Sequence, residues 1–167
     1  GANTTGANNV AFGRNALGAN TTASNNTAVG YSALTSNTTG TLNVAVGLHA
    51  MDANVDGSSN VAIGRWAMVS NSSGCCHVAL GRDALQNNTT GSNNTAIGYQ
   101  SLLSATTGGT NAALGHQAGY NLTTGSSCTF LGYGTNASAV DSTNQIVIGA
   151  NIAGTANDQV SIGKASN

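Results

Sequence analysis

The pentapeptide Asn26-Thr27-Ala28-Val29-Gly30 returns as Asn43-Val44-Ala45-Val46-Gly47, as Asn60-Val61-Ala62-Ile63-Gly64 and as Asn94-Thr95-Ala96-Ile97-Gly98. Its closing glycine belongs to a series: Gly13, Gly30, Gly47, Gly64, Gly81, Gly98, Gly115, Gly132 and Gly149 stand 17 residues apart, and Gly163 follows after a step of 14. A short fixed period marks one supersecondary unit stacked on itself. Ten similar rungs leave little room for the single unique site of a conventional enzyme, so no enzymatic activity is expected.

The composition agrees with a repeat protein and excludes several functions. Charged residues make up 5% of the 167 residues, against about 25% in an ordinary domain. Pro and Glu are absent, and the net charge is −1. No basic cluster offers a footprint for nucleic acid. No apolar run reaches the about 18 residues of a membrane-spanning helix. The chain begins at Gly1 in mid-repeat, without Met, and reads as a piece of a longer protein.

The columns of the repeat can be read relative to the glycine. Position −1 is large and apolar throughout, as in Phe12, Val29, Ile63, Leu80, Leu114 and Ile162, and position −3 is mostly Val or Thr. Position −2 is Ala from Ala11 to Ala113. Side chains alternate along a strand. The bulky face is therefore expected to line the interior of the coil, with the Ala face packed closely against neighbouring chains. Position +3 is usually Ala and position +4 Leu or Met, as in Leu17, Leu34, Met51, Met68, Leu85 and Leu102. These read as a second short strand. Turns follow at Asn-Thr-Thr-Gly, residues 37–40 and 88–91. The pieces between glycines are too short for helices.

Position −4 holds Asn9, Asn26, Asn43, Asn60, Asn94 and Asn111. Stacked amides of this kind predict a hydrogen-bonded ladder along the axis. The expected fold is all-β: a parallel β-solenoid of ten rungs of about 17 residues, each of two short strands. Residues 1–132 form the regular repeats, and residues 133–167 form degenerate final rungs that lead to another module. The thin core of each rung argues for an obligate oligomer.

The run Asn94-Thr95-Ala96-Ile97-Gly98-Tyr99-Gln100-Ser101-Leu102, with its siblings at 26–34 and 60–68, resembles the repeats of bacteriophage tail fibres. It is also similar to the head repeats of trimeric autotransporter adhesins. The resemblance covers residues 6–132 strongly and 133–163 weakly. It implies a left-handed β-roll, three chains side by side as a homotrimer, and a role in gripping a host cell surface through a polysaccharide or protein receptor. It implies an extracellular place, on a virion tail fibre or on a bacterial outer-membrane surface.

Position +1 gathers Arg14, Tyr31, Arg65, Arg82, Tyr99, His116 and Tyr133, with Trp66 beside it at +2. Two readings stand for this column. It is an exposed stripe that binds a receptor or glycan, or it packs at a boundary between chains. His49, His77 and His116 fall in three different columns, so no metal site is expected, and no cofactor is implied. The five acids form no catalytic pair at recognisable spacing. An ice-binding solenoid would need an unbroken Thr column on a strand, and a polysaccharide-cleaving spike would need clustered carboxylates. The chain carries neither pattern. Cys75, Cys76 and Cys128 read as free thiols, and the Asn-x-Ser/Thr triplets at Asn37, Asn71, Asn88 and Asn121 read as turn chemistry.

Overall fold

The computed structural model describes residues 3–164. Each repeat supplies one strand: β1 Val10–Phe12, β2 Thr27–Val29, β3 Val44–Val46, β4 Val61–Ile63, β5 Val78–Leu80, β6 Thr95–Ile97, β7 Ala112–Leu114, β8 Thr129–Leu131, β9 Ile146–Ala150 and β10 Val160–Lys164. They form one ten-stranded sheet in chain order, and every neighbouring pair is parallel. Ala28 pairs with Ala45, Ala45 with Ala62 and Ala62 with Ala79, so like stands over like. The fold is an all-β parallel solenoid, with no helix among the described residues.

The repeat glycine is required by its backbone. Gly47 has φ +139°, and a Cβ placed there would lie 2.5 Å from the carbonyl oxygen of Gly64 in the next rung. Only glycine allows that stacking distance at that dihedral.

Two expectations from sequence are corrected. The segment after the glycine is a turn, so each rung holds one strand instead of two. Positions +2 and +4 take left-handed dihedrals, such as Trp66 at φ 59° and Met68 at φ 52°. Reversing the backbone at alternate residues prevents an extended strand. The turns still bond to one another along the axis. Met51 N–H donates to Ala67 O at 3.0 Å, and Trp66 N–H donates to Leu48 O at 2.9 Å. A left-handed non-glycine residue costs about 1–2 kcal/mol. Burial of a Leu or Met side chain, worth about 1.5–3 kcal/mol, offsets it.

The second correction concerns the two faces of the strand. The Ala face points inward: Ala28, Ala45, Ala62, Ala79 and Ala96 are fully buried. The bulky face points outward, with Phe12 75% and Leu114 50% exposed. The alternation was legible, but its sense was not. A short rung encloses a narrow interior. Between strand and turn there is width for an Ala at −2, an Ala at +3 and one Leu or Met at +4, as Ala62, Ala67 and Met68 show. Two large residues per strand would not fit.

Rung eight confirms the volume rule by exception. Phe130 replaces Ala at −2 and is 1% exposed, while Gly119 replaces Leu at +4 in the rung before. A Cβ on Gly119 would come within 2.7 Å of both the Leu102 and the Phe130 side chains. The ring therefore occupies the space that the missing leucine leaves.

Candidate binding faces

The Asn column at −4 is buried, and its amides bond to backbone instead of to each other. The Oδ1 of Asn26 accepts the N–H of Asn43 at 2.9 Å, and its Nδ2 donates to Gly40 O at 2.9 Å. Asn43, Asn60, Asn94 and Asn111 repeat both bonds. Asn9 makes the same pair at the open end, at 2.9 and 2.7 Å. Each amide thus satisfies one donor and one acceptor that would otherwise be buried unpaired.

Sequence reading missed a second column. Asn20, Asn37, Asn54, Asn71 and Asn88 lie at +7 and bond amide to amide along the axis. Asn54 Nδ2 donates to Asn37 Oδ1 at 2.9 Å, and Asn88 Nδ2 to Asn71 Oδ1 at 2.8 Å. The signal was present as the same 17-residue spacing, hidden by its overlap with Asn-x-Ser/Thr triplets. The column stops at Ala105, and Asn88 Oδ1 is left buried without a partner. Asn37, Asn71 and Asn88 are fully buried, so these amides are structural.

His77 takes an Asn place in the −4 column. Its backbone N–H donates to Asn60 Oδ1 at 3.0 Å. Its Nδ1 accepts the Asn94 N–H at 3.1 Å, and its Nε2 lies 2.6 Å from Gly91 O. Burial pushes its pKa below the ordinary 6.5. Cys128 stands in the same column three rungs later, 3.4 Å from Ser142 O, and burial pushes its thiol pKa up. Cys75 and Cys76 sit in a turn, the first half-buried and the second exposed.

The +1 column is a stack on the outer surface. The Arg14 guanidinium lies 5.9 Å from the Tyr31 ring centre, and that ring meets His49 edge-on at 5.2 Å. Arg65 lies 3.9 Å over the Trp66 ring. Arg82 lies 5.5 Å over Tyr99, Tyr99 lies 5.0 Å from His116, and His116 lies 5.1 Å from Tyr133. Rungs that repeat at strand spacing bring successive +1 side chains into contact. Many of the ring faces are therefore taken by neighbours in the column. Outward edges, hydroxyls and guanidinium groups remain. Arg14, Tyr31, Arg65, Arg82, His116 and Tyr133 are exposed, and Tyr99 and Trp66 are half-buried.

Beside this stack, Arg82 Nε lies 3.2 Å from Asp83 Oδ2, and His49 Nδ1 lies 2.9 Å from Asp52 Oδ2. Among the described residues no group of three His, Cys, Asp or Glu side chains is placed to hold a metal ion.

The strand residues at −1 and −3 form an outward apolar face. It carries Val10 and Phe12 at one end, Ile63, Leu114 and Leu131 along the rod, and Val160 and Ile162 at the other end, each at least 40% exposed. Where Ala112 replaces the usual Val or Thr, the face dips into a groove of about 240 Å³ between Ile97, Leu114 and Leu131. No protein-family model matches the chain, and neither curated proteins nor solved structures give a significant match.

Proposed function

We propose that the chain is a non-enzymatic rod segment of a surface fibre, which assembles as a homotrimer and spaces or presents contacts to a host cell-surface receptor or glycan. The observation that carries this reading is the apolar stripe running from Phe12 to Ile162 along one side of the solenoid. A stripe of that extent on an isolated chain is an association surface. Its apolar side chains recur with the rung spacing, so a partner of equal period covers it from end to end. A second copy of this chain supplies that period. The likeness to tail-fibre and adhesin repeats adds the threefold arrangement. Side-by-side packing through the bulky face would bury large residues.

The +1 column is the outward contact surface in this reading. With many ring faces engaged in the stack, contact to a glycan runs through hydroxyls, ring edges and the three arginines. Acidic or hydroxyl-rich polysaccharide suits that chemistry. A phage tail fibre and a bacterial adhesin head both fit.

Sedimentation tests the assembly. The expected mass is about three times the 16.3 kDa of one chain; a stable soluble monomer at micromolar concentration would refute it. Trp66→Ala with Tyr99→Ala and Arg82→Ala is expected to weaken cell binding while the trimer persists. Unchanged binding would leave the segment a spacer.

A further inference from the structure

His77 stands where other rungs carry a neutral amide, and its ring reproduces that amide's bonds. Nδ1 plays the part of Oδ1 by accepting the Asn94 N–H at 3.1 Å. Nε2 plays the part of Nδ2 by donating to Gly91 O at 2.6 Å. These partners fix the neutral ring with its proton on Nε2. A second proton must enter at Nδ1. It would then face the Asn94 N–H, donor against donor, in a site that is 1% exposed.

We propose that His77 is an acid-sensitive joint in the rod, where proton uptake at Nδ1 disconnects the turn that carries β5 from the turn that carries β6. The joint would sit in the fifth of ten rungs, so its opening divides the solenoid near its middle.

The surroundings offer no charge to soften the change. The ring meets Asn88, Gly91 and Asn94 and lies beside Gly74, while the His77 backbone N–H bonds to Asn60. Strands β4 and β6, on either side, carry only Val61, Ala62 and Ile63, and Thr95, Ala96 and Ile97. The nearest titratable side chains in sequence are Cys75 and Cys76. A hydrogen bond with Cys75 pushes the Cys76 thiol further above 9.0, so it stays neutral under acid conditions. Among the described residues no carboxylate bonds to the ring to stabilise an imidazolium.

The sign follows from the geometry. The folded chain resists the proton, while the unfolded chain takes it at the ordinary imidazole value. Stability is therefore complete above about pH 6.5 and falls as the pH drops below it. Through this group alone the folded-to-unfolded ratio drops between pH 7.5 and pH 5.0 by up to about 30-fold per chain, the limit set by an unfolded imidazole near 6.5.

The test compares denaturant unfolding of the wild-type chain and His77→Asn at pH 7.5 and pH 5.0. The variant is expected to lose the part of the wild type's acid sensitivity that His77 supplies, up to about 30-fold. An equal acid response in both chains would overturn the proposal. A ring-proton NMR titration of the wild-type chain decides independently of any variant. His77 is expected to titrate below the unperturbed imidazole value of about 6.5. An ordinary titration of His77 near pH 6.5 would also overturn it.

Discussion

The turns from Asn20 to Asn88 and those from Gly119 onward carry one continuous parallel sheet with different side chains. In the first stretch each rung repeats an inward Ala and an inward Leu or Met, and two buried amides except where His77 stands for one of them. In the second, Gly119, Asn136 and Ala153 stand where leucine belonged, Phe130 and Val147 replace Ala, and Cys128 and Gln145 replace Asn. The sheet nevertheless runs on, with β8 pairing to β9 and β9 to β10. The solenoid thus asks for a filled interior and bonded turns more than for particular residues. Phe130 fills the gap at Gly119. Gln145 receives the Ser138 N–H on Oε1 at 3.2 Å and donates from Nε2 to the Ser138 hydroxyl.

That comparison can be broken most forcefully through volume. Phe130→Ala is expected to cost about 3–5 kcal/mol by leaving a cavity. Gly119→Leu alone should clash with the ring. Together the two changes restore the pattern of the earlier rungs, because Gly119 at φ 66° already has the dihedral that Leu102 adopts at φ 48°. The double variant is expected to be more stable than the sum of the single changes by at least about 1 kcal/mol, read from a thermodynamic cycle. Simple additivity would show that the two sites do not share one space.

Ala62→Leu tests the regular half by the opposite error. With no room beside Met68, it should destabilise the roll by about 1–3 kcal/mol, read in denaturant. Ile63→Ser, one residue on, points outward. It should change the stability of a single chain by less than about 0.5 kcal/mol while weakening self-association in sedimentation. If Ala62→Leu weakened assembly and left the fold intact, the two faces would be assigned the wrong way round.

The amide columns sharpen the same contrast at smaller cost. Asn54→Ala interrupts a buried ladder and leaves its neighbours unpaired, for an expected loss of about 1–3 kcal/mol. Ala105→Asn extends the ladder by one rung to the unpaired Oδ1 of Asn88 and should gain about 1 kcal/mol, a rise of a few degrees in Tm. No change in Tm would mean that the added amide does not reach the Asn88 Oδ1.

Much of this is legible in the sequence. The glycine spacing gave the parallel stacking and the register, since a fixed period can only place Ala28, Ala45 and Ala62 over one another. The column that holds Arg82, Tyr99, His116 and Tyr133 was visible as a column. That it stacks on itself was not, because contact along the axis depends on rung spacing and on side-chain direction. The second amide column escaped because Asn, Thr and Gly together look like turn residues, whichever way the Asn points.

From its sequence alone this chain was committed to a parallel all-β ladder, because periodicity is a property of order and needs no third dimension to be seen. Which face of the three-residue strand turns inward was decided only by closing the rung. Alternation says that Ala62 and Ile63 point in opposite directions and is silent on which is inside. The answer came from the width of the closed turn, which holds Ala62 beside Met68 and leaves Ile63 out. Interior volume is set by the whole circuit of the backbone and is not written in any one strand.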